Sequence, residues 1–210
     1  MLTIVLVPAI LMFISTAIKG CKYMVYVKYW LQTIIDLFAK YFIAWPLTPI
    51  LILLATKDNK LPAWLSWFDT FDNTLDGDNG WKTKTRPYLI EANSYQRYIN
   101  RCRWLWRNSF YGFSKQVCGI KYEVLRDSML IEGHPGISNG PPGKSGLVKR
   151  YLYRNGKLMA FQWYYIRQYK RWPKKCIRIN LGWKLWSWSG IGADSAMHVF
   201  SPSPWMHFDE

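Results

Sequence analysis

Histidine and cysteine are scarce in this 210-residue chain, and its 13 acidic side chains are outnumbered by 28 basic ones. Each shortage removes a class of chemistry. His134, His198 and His207 stand at no metal-ligand spacing, and Cys21, Cys102, Cys118 and Cys176 contain no C-x-x-C, so neither a zinc ribbon nor a dithiol redox pair is encoded. Four widely spaced thiols fit free cysteines in a reducing compartment. No serine or cysteine sits in a G-x-S-x-G elbow. The stretch GISNGPPGKSG contains Gly143-Lys144-Ser145, but a phosphate loop needs glycine where Ser138 stands. The following LVKRYLY reads as a strand, so a phosphate would find no helix N-terminus there. Nucleotide binding is excluded, no catalytic constellation is visible and no cofactor is implied.

What the chain has in quantity is apolar surface and positive charge. Half of its residues are apolar, 18% are aromatic, and the formal net charge is +15. Met1–Ile18, MLTIVLVPAILMFISTAI, carries no charge and lacks the basic n-region of a cleaved signal, which predicts an uncleaved anchor near the lower length limit for a span. In YMVYVKYWLQTIIDLFAKYF, Asp36 and Lys40 stand four apart and pair on one helical face while apolar residues cover the rest, the pattern of a helix lying in the membrane interface. FIAWPLTPILILLAT is uncharged but holds Pro46 and Pro49, which predicts a kinked or re-entrant insertion.

Against this basic background, FDTFDNTLDGDNGW packs Asp69, Asp72, Asp76 and Asp78 into fourteen residues. Asp72, Asp76 and Asp78 match the first half of a calcium loop, yet Thr83 occupies the place of the bidentate glutamate, so metal ligation is a weak candidate. Asx turns with glycine at positive φ make a tight connection the stronger reading. Pairing of these carboxylates with arginines at 86, 97, 101, 103 and 107 is a further possibility.

From Asn93 the pattern predicts a capped amphipathic helix, with Tyr95, Tyr98, Ile99, Cys102, Leu105 and Trp106 on one stripe and Arg97, Arg101 and Arg107 off it. Surface packing, anionic lipid and nucleic acid are its competing partners. Beyond Gly146, LVKRYLY and LMAFQWYYIRQYK flank Asn155-Gly156, a strong hairpin signal. CIRINLGWKLW supplies a third strand, and KYEVL and SMLIEG supply others, giving an antiparallel meander. Phe161, Trp163 and Tyr165 alternate with Gln162, Tyr164 and Ile166, so one face is aromatic and the other mixed. The aromatic face reads as core, or as a stacking platform beside Arg167, Lys170 and Arg171, with Lys174 and Lys175 in the next turn. Residues 82–184 hold 22 basic side chains against four acids, a composition suited to anionic lipid or nucleic acid. The tail FSPSPWMHFDE reads as an extended strap.

Four stretches, WLSWFDTFDNTLDGDNGW, RWLWRNSFYGF, IRINLGWKLW and VFSPSPWMHF, together resemble a family of uncharacterised proteins of tailed bacteriophages. The family pattern has proline where Phe71 stands and Pro-Ala where Ser109-Phe110 stand. The resemblance implies a viral origin and carries no activity.

The sequence therefore predicts an α+β protein. Membrane-inserting helices occupy residues 1–60, an Asp/Gly-rich connection 61–93, and a basic aromatic domain with one amphipathic helix and a small antiparallel meander 94–210. The function expected is non-enzymatic binding of a host or viral protein at the host inner membrane, with residues 94–210 cytoplasmic. A membrane tether for nucleic acid and a metal-dependent enzyme using Asp69–Asp78 are the alternatives.

Overall fold

The computed structural model describes residues 23–84, 91–123, 125–137, 143–185 and 194–208. The stretch Met1–Ile18, Cys21 and Arg86 lie outside them. The chain is α+β and forms two compact units: one takes residues up to Thr33 and from Gly119 onward, the other Ile34–Cys118. The segments 1–60, 61–93 and 94–210 cut across this division.

In the first unit, five strands form one antiparallel sheet in the order β2-β3-β4-β5-β7: β2 (Asp127–Gly133), β3 (Gly146–Arg154), β4 (Lys157–Gln168), β5 (Lys175–Trp183) and β7 (His198–His207). The Asn155-Gly156 turn joins β3 to β4 as its dipeptide demands, with φ of 49° and 74° and Arg154 opposite Lys157. KYEVL contributes less than expected: β1 is only Ile120–Lys121, paired with β6 (Ser195–Ala196) in a separate two-residue ladder. The tail is extended, as expected. It is β7, hydrogen-bonded along β5, and its Pro202 and Pro204 are tolerated because β7 is an edge strand.

Helix α1 (Met24–Phe38) gives this unit its first residues. Tyr29 is buried, sets its ring edge-on to Phe161 at 5.1 Å and Trp183 at 5.7 Å, and donates its hydroxyl to the Val199 carbonyl at 3.0 Å. The aromatic face of β4 is thus core at Phe161 and half-open at Trp163, which is 37% exposed. The mixed face is the more completely covered, since Ala160, Gln162, Tyr164 and Ile166 are all buried. Its polar members survive burial by pairing across strands. Arg150 donates to Gln162 Oε1, and Gln162 Nε2 donates to Asn180 Oδ1.

In the second unit the helix does not break at its prolines. Residues Met24–Leu53 run as one helix of 30 residues, through a π-helical turn at Ala39–Ala44 into α2 (Trp45–Leu53). The widened turn lets the Trp45 amide donate to the Lys40 carbonyl just before Pro46. Pro49 lies inside α2 and cannot donate to the Trp45 carbonyl, which instead accepts from Trp106 Nε1 at 3.0 Å. Where a kinked or re-entrant insertion was expected over Phe42–Thr56, the helix continues through both prolines as far as Leu53.

The aspartate-rich stretch also belongs to this unit, and it includes α3 (Asn79–Lys84). Helix α4 (Ser94–Arg107) begins with the capping box Asn93/Gln96. Its buried face is turned from the expected stripe: Trp104 joins Cys102 and Leu105 inside, while Tyr95 is exposed. Helix α5 (Tyr111–Gln116) follows a left-handed Phe110 at φ 54°. Gly112 is required there, because a Cβ would lie 2.0 Å from the Ser66 carbonyl oxygen. Its amide donates to Asp69 O, and Phe113 N donates to Trp67 O, each at 3.0 Å.

Candidate functional site

Along Met24–Leu53 the usual polarity of a surface helix is reversed. Gln32, Thr33, Asp36 and Thr48 are buried, whereas Trp30, Ile34, Phe38, Phe42, Ile50 and Leu53 are each at least half exposed. A helix that packs on a protein in water hides its apolar stripe. Here a broad apolar stripe points away from the protein, while Thr33, Asp36 and Thr48 find partners on the buried side beside Tyr29, Leu51 and Ile52. Asp36 has no exposed surface: Lys40 Nζ contacts its Oδ2 at 2.6 Å and Ser114 Oγ donates to its Oδ1 at 2.7 Å. The Asp36–Lys40 spacing was legible as a pair. That the pair faces inward, tying the helix to α5, was not, because periodicity gives the faces of a helix and not which of them meets the protein.

Length and composition allow this helix to cross a bilayer. Thirty residues span about 45 Å at 1.5 Å per residue, against a hydrocarbon core of about 30 Å. It is the one such helix among the described residues. The exposed rings crowd toward its middle and second half, with Phe38 stacked on Phe42 at 4.9 Å and Tyr41 edge-on to Trp45 at 5.0 Å.

Three of the four aspartates spend their oxygens on structure. Asp69 is buried and accepts from the amides of Leu61 at 3.0 Å and Thr70 at 2.8 Å; burial nonetheless holds its pKa above the ordinary carboxylate value. Asp76 accepts from Arg101 Nε at 2.7 Å, while the same guanidinium reaches Asn59 Oδ1 at 2.6 Å. Asp78 caps α3 by accepting from Trp81 N at 2.7 Å, and Gly77 takes φ 83° to make the preceding bend. Asp72 is exposed. Among the described residues no group of three or more His, Cys, Asp or Glu side chains is placed to hold a metal ion. Among the described residues, the arginine pairing foreseen for this segment takes the form of an Asp76–Arg101 bridge.

The basic candidates fall into two sets. In α4, Arg97 is half-buried, Arg101 is committed to Asp76, and Arg107 lies over the rings of Trp81 and Trp104 at 5.5 and 6.0 Å. In the sheet unit, Arg167, Lys170, Arg171 and Lys174 are exposed around the β4–β5 turn, and Lys175 begins β5. There Arg171 lies over Trp172 at 5.3 Å and Lys175 over Trp205 at 5.9 Å. Trp205 belongs to the tail whose aromatics were expected to dock on the domain or the membrane; which residues it meets is set by the tertiary pairing of the tail with β5.

The four stretches that carry the bacteriophage resemblance meet in pairs. The aspartate-rich one bonds to the YGF element through Asp69–Gly112 and Trp67–Phe113, and the LGW strand pairs with the FSP strand, Leu181 opposite Phe200.

Comparison with curated proteins gave no match, and comparison with solved structures gave none either. A family model described as a family of unknown function (DUF7338) matches residues 21–209, and the chain belongs to that family.

Proposed function

We propose that this chain is a bacteriophage-encoded protein held in the host inner membrane by the helix Met24–Leu53, where it binds a host or viral protein without catalysing a reaction. The observation that carries the reading is the reversed polarity of that helix, with Asp36 enclosed and Ile34, Phe38, Phe42, Ile50 and Leu53 outward. Each large apolar side chain moved from water into hydrocarbon is worth about 1.5–3 kcal/mol. A carboxylate in hydrocarbon is costly, and Asp36 avoids that cost by facing Lys40 and Ser114. The uncharged Met1–Ile18 adds a second apolar segment, and the excess of basic residues in 82–184 favours the cytoplasmic side for the sheet. The viral origin rests on the four resembling stretches.

Carbonate extraction of membranes from cells producing the full chain tests the membrane part. The wild type remains with the membranes. A Phe42→Lys/Ile50→Lys variant is released, since each lysine near a bilayer centre costs about 2.5–3.5 kcal/mol, while its melting in detergent stays close to wild type. Release of the wild type into the soluble fraction overturns the proposal. Crosslinking in infected cells identifies the protein partner, and recovery of no host or viral polypeptide in repeated captures removes that half of the reading.

A further inference from the structure

The end of the sheet formed by the β4–β5 turn and the C-terminal part of β7 carries a packed aromatic knob. Tyr169 and Trp205 are 5.6 Å apart between ring centroids, Trp172 and Trp205 5.1 Å, and Tyr169 and Trp172 6.2 Å. The Tyr169 hydroxyl donates to the Pro204 carbonyl and fastens the turn to β7. Despite this packing, Trp172 is 47% and Trp205 53% exposed, so the knob offers a large apolar surface to its surroundings. The surrounding charge has one sign. The stretch RQYKRWPKKCIR, 167–178, holds six basic side chains and no acid.

The ring geometry decides between the two anionic macromolecules such a patch suits. Stacking of a nucleic-acid base needs a free ring face. Here the cations occupy ring faces, Arg171 over Trp172 and Lys175 over Trp205, and the three rings fill the space between one another. Each indole therefore already carries a cation on one face, which leaves a base less of the ring to stack on. The arrangement suits a bilayer interface, where tryptophan and tyrosine rings sit at headgroup level and neighbouring lysines and arginines reach lipid phosphates. Apolar exposure within the same unit extends to α1, where half-exposed Trp30 lies edge-on to Phe200 of β7 at 6.1 Å.

We infer that this knob is a second membrane contact, an anchor for anionic phospholipid headgroups in which Trp172 and Trp205 enter the interface and Lys170, Arg171, Lys174 and Lys175 hold phosphates. The inference rests on the membrane reading above and adds a lipid specificity to it. The test uses the full chain labelled with 5-fluorotryptophan and reconstituted in nanodiscs of phosphatidylcholine, with and without phosphatidylglycerol. The Trp172 and Trp205 fluorine signals are assigned from the Trp172→Phe and Trp205→Phe variants. Both signals move, and lose their solvent-isotope shift, when phosphatidylglycerol is present; replacing Lys170, Arg171, Lys174 and Lys175 by glutamine removes that response. Signals indifferent to phosphatidylglycerol overturn the inference. So does a response to oligothymidylate added to phosphatidylcholine discs with none to phosphatidylglycerol, which assigns the knob to nucleic acid. Failure of the membrane reading itself is seen separately, as a wild-type chain that carbonate releases.

Discussion

The indole Nε1 of Trp106 donates to the carbonyl oxygen of Trp45 at 3.0 Å, supplying the hydrogen bond that Pro49, four residues further along α2, has no N–H to make. Trp106→Phe therefore leaves that carbonyl without its partner and lowers stability by about 1 kcal/mol. In a Pro49→Ala background a backbone N–H is available again, and the same Trp106→Phe change costs much less. Thermal unfolding of the four proteins of this cycle in detergent gives the coupling. An equal cost in both backgrounds means that the bond does not compensate for the proline.

Arg101 joins two turns of its unit, holding Asp76 at 2.7 Å and Asn59 at 2.6 Å from a part-buried guanidinium. Asp76→Asn removes the charge partner and lowers stability by about 1.5–3 kcal/mol, the range for a hydrogen bond to a charged group. Arg101→Lys is no conservative change at this place, because one ammonium cannot reproduce the planar fork that reaches both acceptors. Denaturant midpoints for the two variants shift in the same direction; an Arg101→Lys midpoint equal to wild type would show that the bridge to Asn59 is idle.

Two glycine-to-alanine changes of identical chemistry separate steric need from propensity. At Gly112 the new Cβ meets the Ser66 carbonyl at 2.0 Å, in backbone fixed by the Asp69–Gly112 and Trp67–Phe113 hydrogen bonds. Gly112→Ala costs more than about 2 kcal/mol and lowers folded yield. Gly136 is exposed with nothing within 4 Å of a Cβ, so Gly136→Ala stays within about 0.5 kcal/mol of wild type. Comparable melting temperatures for the two would contradict the close approach at Ser66.

Asp127 gives the sheet unit an acid-sensitive staple. Its carboxylate accepts from Arg154 Nε at 2.7 Å and from Glu123 N at 2.6 Å, and the Arg154 bond is the main cause holding its pKa below the usual value. A carboxyl with a depressed folded-state pKa contributes stability that is complete above its unfolded value, about 3.9, and is lost as pH falls through the depressed value. Asp127→Asn accordingly melts lower at neutral pH and shows a flatter acid limb below about pH 4. Melting temperatures followed from neutral pH downward check this, and parallel acid limbs for the two proteins would place the acid sensitivity elsewhere.

The sheet was legible wherever local chemistry dictates it. Asn155-Gly156 specifies a two-residue turn, and the strands it joins carry the expected alternation. The helix capped by Asn93 was legible for the same reason. Prolines misled, because the reading of Pro46 and Pro49 weighed the lost donor without the π-helical turn or Trp106, both supplied by context beyond the local sequence. β7 was missed because a strand containing Pro202 and Pro204 has weak local strand character; its pairing with β5 is a long-range event. The outward apolar face of Met24–Leu53 was visible as an apolar run, but its direction depended on where Ser114 lies, and that is encoded 78 residues away from Asp36.

One edge of the sheet is sealed against further pairing. Proline has no amide hydrogen to offer an incoming strand, and the edge strand β7 carries two of them, Pro202 opposite Ile179 and Pro204 at the register shift against β5. The opposite border, β2, has no proline and leaves Leu130 and Ile131 uncovered. Growth of this sheet by strand addition, whether with another copy or with a foreign peptide, is consequently polarised toward β2.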